Sequence, residues 1–293
     1  MRNSLWDYAS FGAGAWCLIL LLSLCTNTWA AGPPSLQIAH DPQSPLHRHS
    51  KQRPKIAIII DDIGYNHARG QRAIELPGSV TLSILPHSPY GQQLAKLADR
   101  QGKEVMLHAP MSNILDKPLD PGALTSGMTK TRFIATLEAG LADLPFVSGV
   151  NNHMGSELTQ QHQPMLWLME ALRQHELYFV DSRTIASSLA WETAIDCGIP
   201  TTRRDVFLDN EANYPAIAEQ FGQLLAIAKR HGHAVAIAHP YPETLYFLET
   251  VLPMLGTAGY QLVPVSAVLS QPHLQTVKRT VDHPQEVVGL INH

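Results

Sequence analysis

Residues Ile56–Gly64 read IAIIIDDIG. Five apolar residues in a row, four of them isoleucine, leave no polar face. That is the pattern of a strand covered on both sides by helices in a parallel sheet, not of a half-exposed antiparallel strand. The run then empties into two adjacent aspartates, Asp61 and Asp62, and a glycine, Gly64.

Outward from this stretch the chain repeats the alternation. Strands are expected at Val80–Leu85, Glu104–Leu107, Val147–Val150, Leu177–Val180, Asp205–Leu208, Ala234–Ala238 and Tyr260–Val263. Helices are expected over about 90–101, from a Thr129 cap to Ala142, from a Thr159 cap to Gln174, and over 185–195, 215–230 and 243–255. Alternation of this kind makes an α/β fold with a parallel sheet, wound open or closed. The count favours a distorted (β/α) barrel of about seven strands. Residues 112–128 (SNILDKPLDPGALTSGM) read as an insertion and a candidate cleft wall.

In parallel β/α folds the working groups collect where strands end. Here the expected strands run into Asp61-Asp62, His108, Asn151-Asn152-His153, Asp181-Ser182-Arg183, Asp209 and His239. Any one of these alone reads as an ordinary core or turn residue. Three histidines and several carboxylates on one rim have the composition of a metal site, and neutral imidazole with carboxylate suits zinc or another divalent first-row ion. Of two carboxylates crowded beside a cation, one can bind it while the other stays free as a base.

Composition removes other classes. The 293 residues carry a net charge of −4, without the basic surplus of a nucleic-acid binder. No Walker loop, dinucleotide fingerprint, HExxH or G-x-S-x-G elbow is present. There are 15 histidines but only three cysteines, and Cys197 lies in an Ala-rich helical context. His40, His47, His49, His273, His283 and His293 fall in polar flanking segments, and His67, His162, His175, His231 and His233 on loops or helices without evident role.

The N-terminus carries an apolar run, Phe11–Cys25, behind Arg2 and ahead of Thr28-Trp29-Ala30. It is shorter than the ~20 residues of a membrane span, and its small residues fit signal-peptidase cleavage after Ala30. The expected organisation is a signal peptide (1–30), a polar linker (31–53), one domain (54–270) and a polar tail (271–293). Export to the periplasm would leave Cys197 as the sole cysteine, and no remaining segment is long and apolar enough to span a membrane.

The order Ile-Ile-Asp61-Asp62-Ile-Gly64, Leu-His108-Ala-Pro110-Met111, Gly149-Val-Asn151-Asn152-His153-Met-Gly155-Ser156, Asp181-Ser182-Arg183-Thr184 and Ala238-His239-Pro240 resembles the divergent polysaccharide deacetylase family of YibQ-like exported proteins. The resemblance covers residues 54–270 and is most specific in Asn151–Ser156. It implies a distorted barrel related to the NodB-type carbohydrate esterases. By the same resemblance Asp61 is the base, Asp62 and His108 are metal ligands, His239 is the acid, and Asp181 orients the catalytic histidine. One departure stands out: in ordinary members of the wider NodB-type group a second histidine ligand stands four residues past the first, and four residues past His108 this chain has Ser112. His153, at the next strand end, is the inferred replacement. Arg183 and Arg204 are both candidates for holding Asp61 or an anionic substrate group, and Asn152, Ser182 and Asp209 complete the candidate substrate-binding set.

The resemblance implies metal-dependent removal of N-acetyl groups from an envelope glycan, with peptidoglycan as the candidate polymer for an exported protein. The alternative is a non-catalytic envelope protein that uses the same barrel to bind a glycan or a protein partner.

Overall fold

A computed structural model describes residues 53–270. The expected signal peptide, the linker up to residue 52 and the tail lie outside the described residues. Strand and helix alternate: β1 (Lys55–Ile63), α1 (His67–Ile74), β2 (Thr81–Ile84), α2 (Gly91–Arg100), β3 (Glu104–Met111), α3 (Lys130–Asp143), β4 (Val147–Met154), α4 (His162–Gln174), β5 (Tyr178–Asp181), α5 (Ala190–Asp196), β6 (Thr201–Arg203), β7 (Val206–Phe207), α6 (Tyr214–His231), β8 (His233–Ala238), α7 (Pro242–Val251) and β9 (Gln261–Leu262).

Every pairing between these strands is parallel, in the order β6-β5-β4-β3-β2-β1-β8-β7 with β9 beside β1. The two ends of that order, β6 and β7, are separated in sequence by Arg204 and Asp205 alone. They behave as one bent strand. Its first half pairs with β5, and its second half pairs with β8, where Asp205 N and Leu208 N donate to Val235 O and Ile237 O at 2.9 Å each. The sheet therefore curls into a distorted (β/α) barrel whose seam is this segment.

The first strand shows how sequence becomes core. Ile56, Ile58 and Ile60 are fully buried in the layer between sheet and helices, while Ala57 and Ile59 face the barrel interior with Met106, Val180, Val235 and Ile237. Alternate side chains of an unbroken apolar run thus fill two different cores. Each buried isoleucine contributes about 1.5–3 kcal/mol.

The structure differs from the sequence expectation in several places. Helix α1 was not expected: HARGQRAI is mostly polar and buries only Gly70, Ala73 and Ile74, so its apolar stripe is too thin to read. Asn66 caps it by accepting from Arg69 N at 3.0 Å. Thr129 caps α3 as expected, but Thr159 does not cap α4. It sits in a one-turn 3₁₀ segment, its hydroxyl donates to Gly155 O, and α4 begins at His162. The stretch 185–195 is helical only from Ala190. The expected strand at 205–208 is only the second half of the bent seam. Strands β3 and β4 both continue beyond the expected ends, to Met111 and Met154.

Candidate metal centre and active-site cleft

The site begins with an irregularity in β1. Between Ile60↔Leu82 and Ile63↔Ile84, β1 advances three residues while β2 advances two. The extra residue is a bulge, a device that re-aims side chains next to sites. Asp62 takes the left-handed conformation there, φ +57°, which aspartate tolerates better than most residues. The bulge turns both Asp61 and Asp62 toward the cleft. Gly64 then makes the exit turn at φ +139°, where a Cβ would lie 2.0 Å from Ser88 Oγ. Only glycine fits.

The lengthened β3 and β4 supply the histidines. Their ladder sets His108 opposite Asn151 and Pro110 opposite His153. Residues two apart on a strand share a face, so Asn151 and His153 both approach His108. Asn151 organises the floor. Its Nδ2 donates to Asp61 Oδ1 (2.9 Å) and to Ser182 Oγ (3.2 Å). Its Oδ1 accepts from Ser83 Oγ (2.6 Å) and faces His108 Nδ1 at 2.8 Å. A carboxylate accepts hydrogen bonds, so the amide NH₂ must face Asp61, and the amide oxygen must then face His108. His108 therefore carries its proton on Nδ1 and presents the Nε2 lone pair to the cleft.

That Nε2 lies 3.2 Å from Asp62 Oδ1 and 3.1 Å from His153 Nδ1, and His153 Nδ1 lies 2.9 Å from the same Asp62 oxygen. One ligand atom from each of the three residues falls within 4.8 Å of the others. Asp62 Oδ1 is buried and takes no hydrogen bond among the described residues. Unless one of the two nitrogens facing it, His108 Nε2 and His153 Nδ1, is protonated, it has no donor to accept from, and a cation is what would join the three. Asp, His and His around an orphaned carboxylate oxygen are a fitting donor set for a divalent metal. Without a cation the charges share a proton. Burial alone would raise the Asp62 carboxyl, but hydrogen bonds and charge from His108 and His153 hold it far below the usual carboxylate range. Burial opposes the His108 imidazolium, yet Asp61, then Asp62, push its pKa up.

Across the cleft, His239 at the end of β8 is gripped by Asp209. The carboxylate accepts the His239 backbone N–H at 2.6 Å, faces ring Nδ1 at 3.0 Å and accepts from Thr244 Oγ1 at 2.9 Å. His239 Nε2 lies 3.8 Å from Asp62 Oδ2. Burial disfavours its charge, but the Asp209 hydrogen bond and the charges of Asp209, Asp62 and Asp61 outweigh burial and raise its pKa to about 9.

The model of the family described as divergent polysaccharide deacetylase matches residues 58–269. This chain belongs to that family. Within it, the chain is 33% identical over 222 residues to the uncharacterized protein YibQ of Escherichia coli (strain K12), covering 76% of this chain and 69% of that protein. It is also 33% identical over 198 residues to an uncharacterized protein of Haemophilus influenzae, covering 68% and 71%. Among solved structures, the uncharacterized protein ATU2773 from Agrobacterium tumefaciens C58 superposes with a TM-score of 0.71 at 26% identity, over 74% of this chain and 89% of that one.

The cleft of this family member has a volume of about 530 Å³ and is lined by Asp61, His108, His153, Arg204, Phe207 and His239, among others. Ser182 and Asn152 also line it. Both ends of the Asn152 amide are already used, accepting from Ser182 N (2.9 Å) and donating to Met154 O (2.8 Å), so Asn152 ties the end of β4 to the segment after β5. Arg204 spends Nε on Ser182 O and Nη2 on Arg183 O, each at 2.7 Å, over the Phe207 ring. Burial, then the charge of Arg183, lower its pKa.

Three expected placements are not found. Asp181 is not the carboxylate beside His239. It accepts from Arg183 N (2.7 Å) and Ser188 Oγ (2.8 Å), and burial pushes its carboxyl up. Asp209 stands against His239 instead, and it is buried and not among the cleft-lining residues. Arg183 is exposed, with φ +50°, and is not among the cleft-lining residues. The sequence puts Asn151 on the rim without a role, although the period-two alternation with His153 sets it on the same face. Sequence reading passed over Asp120, Lys117 and Phe207, whose approach to the cleft depends on tertiary contacts.

Proposed function

We propose that this protein is an exported, metal-dependent deacetylase that hydrolyses N-acetyl groups on an envelope glycan, with peptidoglycan as the candidate polymer. The observation that carries this reading is the convergence of Asp62, His108 and His153 beside an unshared buried carboxylate oxygen, with a second aspartate and an anchored histidine at the same cleft.

Asp62, His108 and His153 would hold the metal, zinc or a similar divalent ion, and three protein ligands leave positions open for water and substrate. Such an ion supplies a Lewis acid that polarises the acetyl carbonyl and lowers the pKa of water. Asp61 takes the proton of the attacking water. Its Oδ1 is pinned by Asn151, and its Oδ2, 3.6 Å from His108 Nε2, is the oxygen free to do so. His239, which Asp209 keeps protonated near neutral pH, gives its proton to the nitrogen as the amide C–N bond breaks. Acetate and a free amine leave. Arg204, held over Phe207 at the cleft wall, would meet an anionic group of the glycan with the part of its guanidinium not used on Ser182 O and Arg183 O. Export rests on the apolar run Phe11–Cys25 and the small residues before Ala31.

The test is acetate release by residues 31–293 from N-acetylated chitooligosaccharides and peptidoglycan fragments, with zinc and after chelation. Release that needs metal and is lost in Asp62→Ala supports the proposal. Undiminished release by Asp62→Ala at limiting metal, or tight zinc binding without turnover on any acetylated glycan, overturns it. Export is checked separately by N-terminal sequencing of the mature protein, expected to start at Ala31.

A further inference from the structure

We infer that Asp120, on the 112–128 loop, selects which nitrogen of His153 faces the metal, and that Tyr65 holds Asp120 in place to do so. The loop is then a working part of the metal centre. This rests on the reading of Asp62, His108 and His153 as metal ligands.

An imidazole near the end of a strand has two ways to offer a nitrogen, and its tautomer follows the partner on the other nitrogen. His108 is settled by the buried amide of Asn151. His153 is more open, with 14% of its side chain exposed, and no amide stands behind it. Behind its ring stands Asp120, whose Oδ2 lies 3.2 Å from His153 Nε2. A carboxylate can only accept from that nitrogen. Nε2 therefore carries the proton, and the lone pair falls on Nδ1, the atom 2.9 Å from Asp62 Oδ1 and 3.1 Å from His108 Nε2. Turned the other way, the ring would set an N–H against the cluster and spoil the donor set.

Asp120 is itself fixed. Its other oxygen accepts from Tyr65 OH at 2.7 Å. Tyr65 lies three residues past Asp62, just beyond the Gly64 turn, so the contacts close a ring: Asp62 to His153, His153 to Asp120, Asp120 to Tyr65, and back along the chain. After Asp120 the loop is stapled to the end of β3, and before it the loop is folded on itself. Leu124 N donates to Pro110 O (2.8 Å), Ser112 N donates to Leu124 O (3.0 Å), and Asn113 Oδ1 accepts from Lys117 N (3.0 Å). A loop pinned on both flanks holds the carboxylate in place before any metal arrives, which is what a ligand-orienting residue must do.

The experiment measures zinc affinity of residues 31–293 by competition with a chromophoric chelator, for wild type, Asp120→Ala, Asp120→Asn and Tyr65→Phe. Melting of each metal-free protein is measured alongside, and long-range ¹H–¹⁵N spectra report the His153 ring in the zinc-loaded state. Asp120→Ala is expected to weaken zinc binding about 10- to 100-fold. Asp120→Asn, which keeps an acceptor, should lose less, and Tyr65→Phe less again. The wild-type spectrum should show His153 protonated on Nε2, and that signature should blur in Asp120→Ala. Wild-type affinity in both Asp120 variants, or His153 protonated on Nδ1 in the zinc-loaded protein, overturns the inference while leaving the metal site standing. A wild type that binds no zinc overturns the metal reading itself. Should Asp120→Ala fail to fold, Tyr65→Phe, at an exposed position, decides the matter by the same affinity measurement.

Discussion

Asp209 Oδ1 lies 3.0 Å from His239 Nδ1, and the other oxygen of the same carboxylate accepts the His239 backbone N–H at 2.6 Å. One buried side chain thus sets both the ring orientation and the strand end that carries the ring. Asp209→Asn should lower the rate of acetate release by about 10- to 100-fold, within the range that positioned acid catalysis contributes, while leaving zinc affinity close to wild type. The folded-state pKa of His239 is raised to about 9, so its acidic form is lost as pH climbs through that value. Removing the Asp209 charge lowers this pKa, and the alkaline limb of the rate profile should move to lower pH. In metal-free protein the same pair contributes stability that is full below about pH 6.5 and lost toward pH 9, on the order of 1–3 kcal/mol. Denaturant titrations across that window should show the loss in wild type and a smaller one in Asp209→Asn.

Asn151→Leu should be among the most damaging single changes at the cleft floor. Asn151 satisfies Asp61, His108, Ser83 and Ser182 at once, and a leucine leaves several of those buried groups without partners. The expected cost is about 2–4 kcal/mol in urea unfolding. Zinc affinity should also fall, because the His108 tautomer is no longer dictated.

Zinc itself should stabilise the fold. At 100 times its dissociation constant a ligand bound only to the native state adds about 2.7 kcal/mol, which for a domain of this size is a rise of about 5–10 °C in melting temperature. The rise should vanish in Asp62→Asn and in His153→Ala. Equal rises in those variants and in wild type would place the bound zinc elsewhere.

Gly64→Ala should cost at least about 2 kcal/mol, from left-handed backbone strain and from a Cβ set 2.0 Å from Ser88 Oγ. Because Gly64 ends the segment that carries Asp61 and Asp62, zinc affinity should fall with stability. Calorimetry of the metal-free and zinc-loaded proteins separates the two effects.

The residues that converge were legible because of where they stand along the chain. Ile56–Ile60 announces a strand buried on both faces, and the polar groups following such strands can only gather at one rim. Position along a strand is a local property, so Asp61, Asp62, His108, His153 and His239 could all be picked out without coordinates. The resemblance added roles, and it misled at Asp181. The identity of the carboxylate beside His239 depends on which strand ends are neighbours in space, and β7, the segment leading to Asp209, pairs directly with β8. A linear order cannot rank Asp181 against Asp209.

What the sequence by itself determined is the class of the fold, the rim on which the chemistry gathers and the family, all carried by short-range pattern: unbroken apolar runs, alternation of strand and helix, and polar residues at strand ends. Tertiary structure alone decided the bulge that aims both aspartates inward, the bent strand that seams the barrel, the tautomers set by Asn151 and Asp120, and the pairing of His239 with Asp209. Each of these depends on two segments far apart in the chain meeting within hydrogen-bond distance. That proximity is produced by packing the whole barrel, and no single stretch of residues encodes it.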